Sequence, residues 1–196
     1  MMRKKGKVLL IYTGGTIGMG VNPVTGALEP LDFKHLKEHL PEFQYIKTDI
    51  DIYQFNPPID SSDMSTDSWI KLVSIIGEQY DMYDGFVILH GTDTMAYTAS
   101  ALSFLLENLT KPVILTGSQL PLGQLRTDGK ENILTSIELA STYRPDGTPM
   151  VPEVCIYFNG HLLRGKSQLD SSRHTGHIDI LLLYPVTEQG IDSSFQ

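Results

Sequence analysis

The chain has 196 residues, 15 Lys and Arg against 23 Asp and Glu, a formal net charge of −8, and 41% apolar residues. This is the composition of a globular domain long enough to bury its own core, and the acidic balance argues against a nucleic-acid backbone as partner. No apolar run approaches the ~18 residues of a membrane span, the basic start Met1-Met2-Arg3-Lys4-Lys5-Gly6 leads into a strand-like run without a cleavage site, and the single cysteine, Cys155, suits a reducing compartment. The expectation is a cytoplasmic protein that engages neither membrane nor nucleic acid.

In chain order, residues 7–13 (KVLLIYT) form an apolar run between two glycines and predict a buried strand. Residues 14–29 are rich in Gly, Pro and Thr and predict a loop; residues 32–40 predict a short helix stopped by Pro41. Residues 49–55 alternate and predict a strand that Asn56-Pro57-Pro58 ends. Trp69, Leu72, Val73 and Ile76 mark one helical face over 66–80. A strand at 85–90 (GFVILH), a helix over 94–108, a strand at 112–116 (PVILT), a helix over 128–142 and a strand at 153–158 (EVCIYF) follow. Alternation of this kind is the mark of an α/β fold, with a mostly parallel sheet flanked by helices.

In such sheets the ligand crevice lies beyond the carboxyl ends of the strands. The segments there are Thr13-Gly14-Gly15-Thr16, His90-Gly91-Thr92-Asp93 and Thr116-Gly117-Ser118-Gln119, each holding a glycine and a hydroxyl. Gly14-Gly15 lets backbone N–H groups approach a ligand and Thr16 adds a hydroxyl, the parts of a nucleophile with an oxyanion site. The same residues also suit a tight turn in which Thr16 is a cap. This segment has neither the lysine-ended phosphate-loop spacing nor the G-x-G-x-x-G spacing. Thr92 and Asp93 suit either a helix N-cap or a crevice that binds an ammonium group. Asp60-Ser61-Ser62-Asp63 offers what a small zwitterion needs, or else a capping segment.

His174 and His177 form a pair without a third ligand, so no metal is assigned. His35 and His39 lie on the short charged helix, and Cys155 inside an apolar strand reads as packing.

Together these loops resemble one family. Tyr12-Thr13-Gly14-Gly15-Thr16-Ile17-Gly18-Met19 and Leu89-His90-Gly91-Thr92-Asp93-Thr94-Met95 are similar to the two signature segments of the bacterial-type L-asparaginases. Ile59-Asp60-Ser61-Ser62-Asp63-Met64 and Leu115-Thr116-Gly117-Ser118-Gln119 resemble the cytoplasmic, type I branch, and the likeness runs over about residues 7–165. It implies hydrolysis of L-asparagine to L-aspartate and ammonia without metal or cofactor. By the resemblance, Thr16 is the nucleophile and forms an acyl-enzyme. Thr92 and Asp93 belong to a second Thr-Lys-Asp group, Asp93 also holds the substrate's α-amino group, and Asp60, Ser61 and Ser62 bind the α-carboxylate and α-amino ends.

The chain departs from the family in three places. Where the family has a lysine within an Asn-Arg-Thr-Thr-Lys-type run after an Arg-Gly pair, Arg164-Gly165 is followed by Lys166-Ser167-Gln168-Leu169-Asp170, with Asp170 near the lysine's place. The role is not transferred to Lys166. The loop after the nucleophile has no tyrosine, and Ala27 lies near its expected position. The family's smaller second domain is absent apart from residues 177–185, so residues 1–165 read as an N-terminal domain and 166–196 as a linker with a truncated strand stub. Family sites lie at subunit contacts, which implies a homo-oligomer, and an unpartnered Leu181-Leu182-Leu183 strand would be adhesive. Two alternatives stand beside this reading. One is a non-catalytic amino-acid-binding fragment. The other is the amidase subunit of a tRNA-dependent amidotransferase, which the acidic charge and the early Thr16 disfavour.

Overall fold

In the computed structural model, which describes residues 6–21, 25–30 and 40–165, the run KVLLIY forms strand β1 (Lys7–Tyr12), with Val8 to Tyr12 all buried. A strand without polar alternation needs cover on both faces and a neighbour on each edge. The strands β4 (Asp49–Gln54) and β5 (Gly85–Leu89) flank it, with β6 (Val113–Thr116), β7 (Val154–Phe158) and β8 (His161–Arg164) farther along. The order is β4-β1-β5-β6-β7-β8. Every pairing from β4 to β7 is parallel, and β8 returns antiparallel to β7.

The period-two pleat sorts the buried side chains between two layers. Leu9, Ile11, Phe86, Ile88, Leu115 and Ile156 pack with Leu72 and Ile76 of α1 (Thr66–Gln79) and Ala99 and Leu102 of α2 (Met95–Leu105). Val8, Leu10, Val87, Leu89, Ile114 and Cys155 pack with Ile133, Ile137 and Ala140 of α3 (Gly129–Ser141). Helices on both faces of a mostly parallel sheet are the α/β class expected from the sequence.

The edge strand β4 keeps the alternation seen in its sequence, exposed and half-buried residues by turns. Lys7 Nζ lies 2.8 Å from Asp51 on this edge; at such exposure the pair adds little stability, but charge on an edge strand discourages a further strand from pairing there.

Three features differ from the sequence expectation. Within the predicted loop 14–29, β2 (Met19–Val21) and β3 (Leu28–Pro30) pair antiparallel as a separate small ribbon. The strand β8 was not predicted. It follows a two-residue turn in which Asn159 and Gly160 both have positive φ, 49° and 78°, the conformation that suits a tight hairpin. Helix α2 ends at Leu105, before Asn108, whose φ is +54°. The helix expected over 32–40 and the strand stub expected over 177–185 lie outside the described residues, apart from buried Leu40. Among the described residues no helix is long and apolar enough to cross a membrane.

The chain leaves β1 toward β4 and then returns past it to β5. The direction of winding therefore reverses between β1 and β5, the place where open α/β sheets bind ligands.

Helix α3 comes so close to β5 that a Cβ on Gly85 would lie 2.2 Å from the Ala140 carbonyl oxygen. Gly85→Ala is therefore expected to destabilise the fold by about 1–3 kcal/mol, read from the urea midpoint. The contrasting substitution Gly77→Ala, on an exposed position of α1 with nothing within 4 Å, is expected to raise that midpoint slightly. A neutral Gly85→Ala would show that the contact can relax.

Candidate active site

Hydrogen bonds lace the carboxyl ends of the strands together. The Ile59 N–H donates to the Thr13 carbonyl at 2.7 Å, and the N–H and hydroxyl of Thr13 both donate to the Leu89 carbonyl at 3.0 Å. His90 N–H donates to the Thr116 carbonyl at 2.8 Å, and the Thr116 hydroxyl to the Tyr157 carbonyl at 2.7 Å. The loops after β4, β1, β5 and β6 are thereby tied into one row.

Close backbone approach then brings two of these loops into contact. Gly15 has φ +91°, and a Cβ there would sit 2.5 Å from Gly91 Cα. Only a residue without a side chain satisfies both demands. A Cβ on Gly91 would in turn meet Ser61 Oγ at 2.4 Å, which draws in the loop after β4. Thr16 and Thr92 each follow one of these touching glycines.

Thr16 is half-buried and opens a 3-10 turn, Thr16–Gly18. The buried ring of Tyr12 supports that turn from beneath: a Cβ on Gly18 would lie 2.2 Å from it, and its hydroxyl is 3.4 Å from the Gly15 carbonyl. Burial pushes the Tyr12 phenol up to about 12, so it stays protonated. Among the described residues, neither the Thr16 hydroxyl nor the Thr92 hydroxyl has a hydrogen-bond partner.

The capping roles weighed from the sequence fall differently on the other residues. Helix α2 takes Thr94 as its N-cap residue, not Thr92 or Asp93, and the Thr94 hydroxyl donates to the Ser61 carbonyl at 2.6 Å. Asp93 is exposed, and Ser61 Oγ lies 3.5 Å from its Oδ2. Asp60 caps the short turn Ser61–Asp63: its Oδ1 accepts from the Ser62 N–H at 3.0 Å and from the Ser62 hydroxyl at 2.7 Å. Those two donors hold the Asp60 carboxyl below its ordinary range, the backbone N–H contributing most. Ser61 is buried and Ser62 exposed.

Two supports were not singled out from the sequence. His90, 1% exposed, lies between the Gly91 carbonyl, 2.6 Å from Nδ1, and the Thr98 hydroxyl, 2.9 Å from Nε2. Trp69 Nε1 donates to that same hydroxyl at 3.0 Å. Burial lowers the His90 pKa, against a smaller opposing effect of the Gly91 carbonyl. On the other side, Asn132, also 1% exposed, donates through Nδ2 to the Gly117 carbonyl at 2.9 Å. Asp128 accepts from the N–H groups of Gln119 and Leu120, and so pins the loop after β6. Of these residues only His90 was marked in the sequence by its position beside a strand end; the others lie in or at the start of helices.

Among the described residues no group of three or more His, Cys, Asp or Glu side chains is placed to hold a metal ion. His174, His177, Lys166 and Asp170 lie outside them, and Ala27 is exposed just before β3. A groove of about 430 Å³ lined by Phe104, Leu106, Leu109, Pro152 and Val154 opens away from the site, where β7 begins, and holds none of the predicted residues.

The family model described as "Asparaginase, N-terminal" matches residues 7–175. The chain belongs to the asparaginase family. It is 45% identical to L-asparaginase 1 of Escherichia coli over 198 residues, covering 97% of this chain and 55% of that protein. It is 40% identical to the L-asparaginase of Dirofilaria immitis over 190 residues, covering 84% of this chain and 31% of that protein. The crystal structure of L-asparaginase I from Vibrio cholerae matches with a TM-score of 0.72 and 45% identity, over 82% of this chain and 47% of that one. The chain thus spans about half the length of the two bacterial proteins.

Two outcomes follow from this geometry. Gly15→Ala combines an unfavourable φ with a 2.5 Å contact and is expected to lower the thermal midpoint by the equivalent of about 1–3 kcal/mol, more than Gly26→Ala, which has positive φ but open space. The second concerns pH. An unfolded histidine takes up a proton below about pH 6.5, whereas buried His90 resists until a lower pH. Between the two values the unfolded state binds more protons, so stability falls as pH falls. The urea midpoint is expected to decline from pH 7.5 to 5.5, with a shallower decline in His90→Asn. Equal slopes would exclude His90 as the cause.

Proposed function

We propose that this chain supplies a site for the hydrolysis of L-asparagine, with Thr16 as the nucleophile. The observation that carries the reading is the pair of hydroxyls, Thr16 and Thr92, unpartnered among the described residues and set on adjacent strand ends at the Gly15–Gly91 contact. Its support from relatives is the 45% identity to a protein named L-asparaginase 1. A threonine hydroxyl is a weak nucleophile at neutral pH and needs a base to take its proton and fixed donors for the oxyanion.

In this reading Thr16 Oγ1 attacks the side-chain amide carbon, and its proton passes to the group that contains Thr92 and Asp93. The tetrahedral intermediate collapses, the C–N bond breaks, and the leaving nitrogen takes a proton to depart as ammonia. Water then attacks the ester on Thr16 and releases L-aspartate with the threonine hydroxyl restored. Asp60, Ser61, Ser62 and Asp93 bind the α-amino and α-carboxylate ends. The exposed carboxylates suit the ammonium, and the hydroxyls suit the carboxylate. Residues 1–165 form the N-terminal domain in this proposal, 166–196 lead toward the smaller one, and the working form is a cytoplasmic homo-oligomer.

Asp170, near the place where the resemblance puts a lysine, favours a second reading: an amino-acid-binding chain without turnover. Ammonia release from L-asparagine, measured from micromolar to millimolar substrate, separates the two. Turnover that Thr16→Ala lowers on the order of 10³-fold or more supports the nucleophile. Undiminished turnover in Thr16→Ala rejects it, and calorimetric binding of L-aspartate without turnover by the parent chain selects the second reading.

A further inference from the structure

His90 is buried, belongs to neither hydroxyl-bearing pair, and makes more directed contacts than packing requires. Its Nδ1 is 2.6 Å from the carbonyl oxygen of the next residue, Gly91. A carbonyl only accepts, so Nδ1 carries the proton. Its Nε2 is 2.9 Å from Thr98 Oγ1, and that oxygen already accepts the indole N–H of Trp69, a group that can only donate. In the neutral ring with Nδ1 protonated, Nε2 presents its lone pair and the Thr98 hydroxyl gives it a proton. These partners specify one neutral tautomer.

The consequence falls on the peptide that follows. The Gly91–Thr92 bond is trans, since the one cis bond among the described residues is Asn56–Pro57, and in a trans peptide the N–H points opposite to the C=O. With the Gly91 carbonyl turned back onto the ring, the Thr92 N–H is turned away from it. That N–H has no partner among the described residues. The three contacts thus run from Trp69 of α1 through Thr98 of α2 and His90 to the loop that carries Thr92 and Asp93.

We propose that His90 is a positioning residue: its Nδ1–H, aligned by Thr98 and Trp69, locks the Gly91–Thr92 peptide so that the Thr92 N–H faces the crevice as a fixed donor. For its catalytic consequence the inference rests on the reading of Thr16 and Thr92 given above; for its structural content it does not.

Two substitutions divide the ring's functions. The Asn side chain reaches about as far as Nδ1 and retains the donor to Gly91, whereas Gln reaches to the place of Nε2 and retains only the Thr98 contact. On the full chain, His90→Gln is expected to lower kcat for L-asparagine about tenfold with KM within twofold, and His90→Asn to stay within threefold of the parent. Equal losses in both variants, or a change confined to KM, would overturn the proposal. An NMR arm needs neither turnover nor folded variants. Nitrogen-15 shifts of the unsubstituted chain at pH 7 are expected to show Nδ1 protonated and Nε2 bare, and an Nε2–H tautomer or an imidazolium would overturn the assignment. If the parent chain releases no ammonia, the hydrolase reading fails alone. The positioning role is then decided by the tautomer together with the Thr92 amide resonance, expected to move in His90→Gln and to hold in His90→Asn; a resonance unmoved by both would refute it.

Discussion

Backbone contact between Gly15 and Gly91 is the constraint on which the mouth of the sheet depends. Two strand ends that would ordinarily be held a side chain apart are brought together until a single added carbon would collide. The parallel pairing of β1 and β5 fixes where the two loops start, and the glycines decide how near they end. Everything placed at that point, including two threonines and a serine from a third loop, inherits its position from this approach. Proteins achieve such placement most reliably when the supporting elements are rigid. Here the supports are central strands with both faces buried.

Beneath the contact the buried polar groups are paired, whereas the Thr16 and Thr92 hydroxyls have no partner among the described residues, and this division is chemically useful. Thr13, Thr116, Thr98 and Asn132 are buried, and each gives its hydrogen bonds to backbone or to one another's partners. Unpaired groups at that depth would cost about 1–3 kcal/mol each. Thr16 and Thr92, one residue nearer to solvent, carry hydroxyls with no such obligation. Cys155, by contrast, lies in the packed layer against α3, where burial pushes its thiol pKa up and leaves it no chemical role.

The fold was largely legible in the sequence because its central strands are apolar runs too short for helices and bounded by Gly, Pro or polar residues, while its helices carry a 3.6-residue stripe over longer segments. The edge position of β4 was visible in its alternation. The strand β8 was legible too, in Asn159-Gly160, which is among the strongest short-range hairpin signals; apolar spacing alone passed over it because Leu162 and Leu163 are too few to form a period. Most of the proposed site residues stand out in the sequence because they lie in the loops that follow strands. The capping alternatives were resolvable only in three dimensions: Asp60 proved to cap its own turn while Thr92 did not. From the sequence His90 is a strand end and Trp69 part of a helix face, and Thr98 carries no signal of its own. Their connection spans 21 residues from Trp69 to His90 and 8 from His90 to Thr98, separations at which no periodic pattern operates.

The place of β1 in the sheet also bears on how the chain is made. The buried strand β1 precedes both of its neighbours in the chain, so Val8 must wait for Ile50 on one side and Gly85 on the other. Until residue 85 has been synthesised, KVLLIY is an unsatisfied apolar ribbon, the kind of nascent segment that chaperones shield and that parallel topologies leave exposed. The pairing that seats β1 between two parallel neighbours in the finished molecule thus leaves the same strand vulnerable while the chain is being made.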